Sequence, residues 1–326
     1  MNIFITGASG FIGNVFLNRL LRRIRPEDKV YILVRSILKL SDQRVIQLAG
    51  SLETLGKYEN EILSSDYFFH IAAESRMEGG TDYSKSITVP TLEIVNILKK
   101  GKSLKKLIYI SSIAAVGRTG NDNCVLPLSA DSRPFPTTDY GRAKLTAEKH
   151  VIESGLPYAI IRPAFVYGKY MRAESHVNAF VSMVCRRSPF VHFNFSGKVS
   201  LIHVDDLASA LLNCIYGDAP AGRIYFGETE TSTVGDIFKV IYAKVHNRRL
   251  WQIALPRIGG LMGRIHALLP ARIAILFFNY FWARDDRFSD ELLKGIELKS
   301  IKNSIIDVIS TNKDTLRNAK AHGTVQ

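Results

Sequence analysis

Through the first half of the chain, short apolar runs alternate with stretches in which apolar residues recur at helical spacing. The runs at 2–6, 30–34, 44–48, 67–73, 107–111 and 158–162 predict strands. Most are near-continuous and rich in β-branched or aromatic residues, as strands covered on both faces must be. Residues 11–24, 84–100 and 138–154 predict helices between them. Such alternation builds βαβ units, and the expected fold is α/β with a doubly wound parallel sheet.

Past Pro163 the rhythm changes. A strand at 199–204 runs into a helix at 205–216 whose start carries the acidic pair Asp205 and Asp206, and 234–246 predicts another helix. The expected organisation is a nucleotide-binding domain over 1–164, continued by 199–240. A smaller C-terminal substrate lobe would be assembled from 165–198 and 241–326. At 326 residues the chain is long enough for both.

The turn between the first strand and first helix reads TGASGFIG, which places Gly7, Gly10 and Gly13 where a strand hands over to a helix. Glycines there permit a tight turn and close approach of backbone to a pyrophosphate. The helix start, through Ser9, Phe11 and Ile12, adds free N–H groups and the positive end of the helix dipole. The second strand ends in YILVRS. An acid at that point would bind a ribose 2′-hydroxyl, whereas Arg35 suits a 2′-phosphate, so NADP is the expected cofactor and NAD the alternative. An ordinary surface charge is the competing account of Arg35.

DYGRAK places Tyr140 and Lys144 four residues apart, one turn from each other on a single helix face. A free phenol, with a pKa of about 10, is too weakly acidic for proton transfer near neutrality. A neighbouring ammonium and an oxidised nicotinamide are expected to favour the phenolate, so that Tyr140 exchanges a proton with a substrate oxygen. Ser112, closing the strand KLIYISS, is placed to hydrogen-bond that same oxygen.

In order, TGASGFIG, HIAA, YISSIAAVG, YGRAK, IRPAFVYG and IHVDDLA resemble the extended short-chain dehydrogenase/reductase family, often called NAD-dependent epimerase/dehydratases, over roughly residues 1 to 240. The resemblance implies a Rossmann domain with a smaller C-terminal lobe. It also implies pyrophosphate held at Gly7, Gly10 and Gly13, backbone lining at Ala72 and Ala73, and Ser112, Tyr140 and Lys144 as catalytic groups. Ser112 is preferred to Ser111 because its distance to Gly117 matches the family's Ser-x-x-x-x-Gly pattern. Ser51 and Leu52, in LAGSLE, stand near the adenine where the family usually has an acid. Thr88 takes the place of a usual asparagine, and AVG replaces VYG after the catalytic serine.

His70 is expected to be a satisfied structural histidine, and His203, Asp205 and Asp206 to be strand-end and helix-cap residues. Arg162 and Pro163 follow a strand on the cofactor side and are expected to approach the nicotinamide end. Cys124, Cys185 and Cys214 are far apart without metal-ligand spacing, which suits free thiols in a reducing cytosol and no metal. With 46% hydrophobic and 22% charged residues, disorder and collagen-like order are excluded. The first residues already form a strand and turn, so no cleaved leader is expected, and the 273–283 run is too short to span a bilayer.

A formal charge of +13 fits solvated basic faces such as 18–25, or attraction to anionic ligands. No nucleic-acid module accompanies it. From Arg248 to Arg287 seven arginines face only Asp285 and Asp286, beside the most apolar sequence in the chain. This segment is either a set of substrate-lobe helices or a basic amphipathic patch on anionic membrane. The expected protein is a cytoplasmic enzyme, with peripheral attachment and a homodimer as further candidates. Its substrate would be a sugar on a diphosphate carrier, which it would epimerise, dehydrate or keto-reduce. An NADPH-dependent reductase of apolar ketones and a non-catalytic NADP sensor are the alternatives, and the retained Ser112, Tyr140 and Lys144 set argues against a sensor.

Overall fold

The computed structural model describes residues 1–74, 81–117, 126–129, 132–255, 275–279 and 281–321, with side chains described as far as 311. Cys124 and much of the basic 248–287 stretch lie outside the described residues. The first half builds β1 (Asn2–Thr6), α1 (Phe11–Leu20), β2 (Lys29–Val34), β3 (Val45–Ala49), α2 (Glu59–Leu63), β4 (Tyr67–His70), α3 (Val89–Leu98), β5 (Lys106–Ile110), α4 (Asp139–Glu153) and β6 (Tyr158–Pro163). The second adds β7 (Phe165–Tyr167), α5 (His176–Cys185), β8 (Phe193–Asn194), β9 (Lys198–His203), α6 (Val204–Tyr216), β10 (Arg223–Gly227), β11 (Glu230–Thr233), α7 (Val234–His246), β12 (Ile253–Ala254) and α8 (Ile301–Ala321).

Seven strands form one parallel sheet in the order β3-β2-β1-β4-β5-β6-β10. The order reverses between β1 and β4, and in doubly wound sheets ligands bind outside the strand ends at such a switch point. Alternate residues of the central strands serve two different cores. Ile3, Ile5, Phe69 and Ile108 pack toward α1 and α6, with Phe16, Leu207 and Leu211. Phe4, Phe68, Leu107 and Tyr109 pack toward α3 and α4, with Ile94, Ala147 and Val151. Burial on both faces is why these strands read as continuous apolar runs.

The second lobe holds a three-stranded sheet, β11-β9-β7, and the β12-β8 pair. Its core joins Val181, Val184, Phe195, Leu201, Phe238, Ile241 and Ile305. Residues 199–240, expected to belong wholly to the nucleotide domain, divide instead. Helix α6 packs on α1 beneath the main sheet and β10 becomes its edge strand, whereas β9, β11 and α7 join the second lobe. Conversely, Phe288 and Leu292, from the stretch expected in the substrate lobe, are buried in the nucleotide-domain core. Among the described residues no helix is long and apolar enough to cross a membrane.

Candidate active site

A cleft of about 710 Å³ opens at the C-terminal ends of β1, β4 and β5. It brings together Gly7, Ser9, Gly10, Phe11, Ile12, Gly13, Arg35, Ser51, Leu52, Ala72, Ala73, Ser112, Tyr140, Lys144 and Pro163, all but Arg162 of the residues expected around the cofactor and the chemistry. Its size falls within the few hundred to about 1,000 Å³ of small-molecule and cofactor sites.

Three glycines shape one end for different reasons. Gly7 has φ +79°, and a Cβ there would sit 2.6 Å from the Ala72 nitrogen. A Cβ on Gly13 would lie 2.0 Å from the Gly7 carbonyl oxygen, so the helix can approach the turn only without a side chain. Gly10 is the least constrained of the three. Its backbone is extended, at φ −80° and ψ 174°, and an added Cβ would meet only the Gly7 oxygen, at 3.2 Å. The bare backbone at Gly10 lines the cleft. It is the N-cap of α1, which has no side-chain cap and no acid in its first turn. The arrangement fits the pyrophosphate of a dinucleotide, held by backbone N–H groups and the helix dipole.

At the far side, Arg35 stands exposed beyond β2, beside Leu33, Gly50 and Ser51. Ser51 caps a short 3₁₀ helix (Leu52–Tyr58), with its hydroxyl accepting from the Glu53 N–H and its own N–H donating to Thr54 Oγ1. His70 is buried between Thr6 Oγ1 at 2.8 Å and Thr91 Oγ1 at 3.1 Å. Burial, with the charge of Lys144, pushes its pKa down to about 3. It is a neutral strut linking β1, β4 and α3.

Helix α4 carries the chemical groups to the middle of the cleft. A Cβ on Gly141 would lie 2.3 Å from the Ala114 carbonyl oxygen, so the glycine of DYGRAK lets α4 dock on the turn that follows Ser112. Gly117, at φ +59°, makes the same close approach to the segment before α4, with an added Cβ 2.4 Å from the Phe135 oxygen. Ser112 accepts from the Ala114 N–H at 3.2 Å, which leaves its O–H free to donate. Tyr140 is half-buried, edge-on to Tyr83 at 5.6 Å. Lys144, 2% exposed, donates to the Ile110 carbonyl at 2.7 Å and lies 4.8 Å above the Tyr109 ring.

Burial pushes the Tyr140 phenol up to about 12, against the Ser112 hydroxyl and the charge of Arg172, which pull the other way. The expected depression of the phenol by Lys144 is therefore not what the residues alone produce. Burial instead draws the Lys144 ammonium down to about 7, with Glu148 opposing.

Two further expectations change. Arg162 does not reach the nicotinamide end. The two-residue period of β6 places it on the face covered by α4, where its Nε and Nη2 donate to Glu148 at 2.9 and 2.7 Å. Thr88 likewise turns away, its hydroxyl 3.4 Å from the Ala143 carbonyl. The wide π turn Ser84–Thr88 directs Ser86 into the cleft instead. The buried hydroxyls of Ser86 and Ser111, both lining the cleft, have no partner among the described residues. Sequence reasoning also missed Glu74 and Arg172, which face each other across the cleft at 3.7 Å. Nothing in their local sequence marks them.

The family model described as NAD dependent epimerase/dehydratase family matches residues 3–225. The Vibrio cholerae UDP-glucose 4-epimerase is 24% identical over 271 residues, 78% of this chain and 79% of the epimerase. The Arabidopsis thaliana anthocyanidin reductase is 23% identical over 253 residues, 67% of this chain and 73% of the reductase. The solved structure of Bacillus cereus UDP-glucuronic acid 4-epimerase, in complex with UDP-glucuronic acid and NAD, has a TM-score of 0.75 at 17% identity. That likeness covers 97% of this chain and 100% of the other, and it shows the fold.

Proposed function

The chain belongs to the NAD dependent epimerase/dehydratase family, and on that premise we propose that it epimerises, dehydrates or keto-reduces a sugar carried on a diphosphate. The observation that carries this proposal is the single cleft in which a glycine turn, a proton-transfer phenol and a hydrogen-bonding serine meet. The nucleotide-sugar substrates named for the V. cholerae and B. cereus relatives support the substrate class.

Bound NAD(P) supplies the acceptor and donor of a hydride. The turn at Gly7, Gly10 and Gly13, with the N–H groups of Ser9, Phe11 and Ile12, holds the pyrophosphate. Ala72, Ala73 and Pro163 would line the cofactor, and Ser51 and Leu52 would stand on its adenine side. Arg35 favours NADP by meeting a 2′-phosphate, whereas NAD is the dinucleotide named for the family and for the B. cereus relative. An ammonium has three donors, and Lys144 spends one on Ile110, so two remain to hold the cofactor beside Tyr140.

Tyr140, at about 12, starts protonated at neutral pH and donates to a substrate carbonyl oxygen. The reverse transfer requires the phenolate, which the charges of Lys144 and an oxidised nicotinamide stabilise once both surround it. Ser112 donates to the same substrate oxygen and fixes its direction.

Tyr140→Phe removes only the transferable proton. It should retain the wild-type melting temperature and cofactor affinity while turnover of a nucleotide sugar falls by about 10²–10⁴-fold. A variant within a few-fold of wild type refutes the assignment. A reductase of apolar ketones is the second reading, favoured by the anthocyanidin reductase relative. Turnover assays with nucleotide sugars and with apolar ketones separate the two readings, and mass spectrometry of the dinucleotide released on denaturation then tells an epimerase, which keeps its cofactor, from a reductase, which exchanges it.

A further inference from the structure

Two helices of the second lobe end at the same place, each followed at once by a pair of arginines. The His246 ring at the end of α7 lies 3.2 Å from the Val184 carbonyl near the end of α5. Arg186 and Arg187 therefore neighbour Arg248 and Arg249. All four are exposed, and none has an ion-pair partner among the described residues. Cations suit helix C-termini, each by a fraction of a kcal/mol at an exposed site. That effect accounts for one basic residue per helix end and not for the apolar surface between the two pairs.

The apolar surface is formed by the segments that follow. Trp251 is 74% exposed, Phe190 57% and Ile253 45%. They are held side by side, because His192 Nδ1 lies 3.1 Å from the Trp251 carbonyl and β12 pairs with β8. The segments that form the patch carry no negative charge of their own, since residues 175–204 and 237–284 contain no Asp or Glu.

We propose that Arg186, Arg187, Arg248 and Arg249, around Trp251, Phe190 and Ile253, form a docking surface for an anionic lipid bilayer. A bilayer meets both demands of the patch. Its phosphates pair with guanidiniums, and its interface accepts an indole and aliphatic side chains at the depth where the headgroups end. An exposed tryptophan amid unopposed arginines is costly to leave in water and is placed correctly at that boundary. The catalytic cleft lies within reach. Ser175, at the start of α5, lines the cleft, and Arg186 caps the other end of that ten-residue helix. At 1.5 Å per residue the two are separated by about 16 Å. The surface stands independently of the substrate assignment, and its failure would leave the cleft chemistry untouched.

The test is co-sedimentation of the full chain with phosphatidylglycerol/phosphatidylcholine vesicles, with phosphatidylcholine vesicles as reference. Binding is expected only to the anionic vesicles at low salt, and should be lost at ~1 M salt, where the Debye length is ~3 Å. In a Trp282→Phe background, which leaves Trp251 as the sole tryptophan, the emission should shift to the blue on binding. Each basic side chain contributes roughly a fivefold gain in partitioning. The variant Arg186→Ala/Arg187→Gly/Arg248→Ala/Arg249→Ala should therefore lose binding by on the order of several hundredfold while keeping its melting temperature and cofactor affinity. Glycine is chosen at 187 because φ there is 54°. Trp251→Ala should weaken binding without altering its salt dependence. Absence of sedimentation at low salt, or sedimentation that the arginine variant retains, overturns the proposal. So does a Trp251-dependent dimer that binds no vesicle, which would assign the patch to a second copy of the chain.

Discussion

Replacing Arg162 by methionine should be among the most damaging single substitutions in the chain, although Arg162 touches no ligand site. Its guanidinium donates twice to Glu148, whose side chain is fully buried, and lies 5.4 Å from the centre of the Phe226 ring. Methionine fills much of the same volume but leaves a buried carboxylate unpaired, which costs about 3–5 kcal/mol. At roughly 2 °C per kcal/mol for a chain of this size, the melting temperature should fall by about 6–10 °C. The double variant Glu148→Leu/Arg162→Met removes both charges and should recover most of that loss, because a buried pair is frequently no better than apolar residues of like volume. Its turnover should not recover in step. Glu148 is the charge that opposes the depression of Lys144 by burial, so the double variant leaves Lys144 less protonated at neutral pH. Thermal unfolding and steady-state rates on the three proteins decide the matter. A loss below about 1 kcal/mol in Arg162→Met, or a double variant no more stable than the single, refutes the reasoning.

Gly10→Ala should lose far less stability than Gly13→Ala, since its Cβ meets only the Gly7 oxygen, at 3.2 Å, yet it should lose cofactor affinity. Gly13→Ala should lose both, with its Cβ 2.0 Å from that oxygen. Calorimetric titration with NAD and NADP checks each. Arg35→Ala should weaken NADP binding and leave NAD nearly unchanged, and equal losses for both would return Arg35 to the surface. Lys144 loses its proton near pH 7 when folded and near 10.5 when unfolded. Between those values the unfolded chain holds the extra proton, so stability should rise with pH across that window. Lys144→Met should lack this component, and chemical denaturation of both cofactor-free proteins at several pH values measures the difference.

The parallel sheet was legible because its central strands are buried on both faces and its helices keep a clean 3.6-residue period. The second lobe was less so. Strands β7, β8 and β12 are two or three residues long, too short for alternation to register. Edge strand β10 was not expected, although the helix expected at 205–216 leads into it. The first division of 199–240 falls between His203, which ends β9 in one sheet, and Val204, which begins α6 against the other. No change in composition marks that step, because both segments are apolar and both are buried.

Within the site, the sequence disclosed residues whose neighbours in the chain explain them and hid those explained by distant partners. Gly7, Gly10 and Gly13 share one turn, and Tyr140 and Lys144 share one helix face. Arg162, by contrast, stands at a strand end like a ligand-directed charge, and its true partner is a helical residue fourteen positions earlier. That partner extends a pattern already visible. Tyr140, Lys144 and Glu148 follow one another at four-residue spacing, so all three lie along one face of α4. Burial deepens along this face, from a half-exposed phenol through an ammonium at 2% to a carboxylate at 0%. Each charge is placed beside its opposite, Lys144 one turn from Glu148 and Glu148 against Arg162. An isolated ammonium at that depth would surrender its proton well below neutrality. Glu148, one turn behind Lys144, opposes that effect of burial, and Lys144 sits at about 7, within reach of the charge that the phenol in front of it requires.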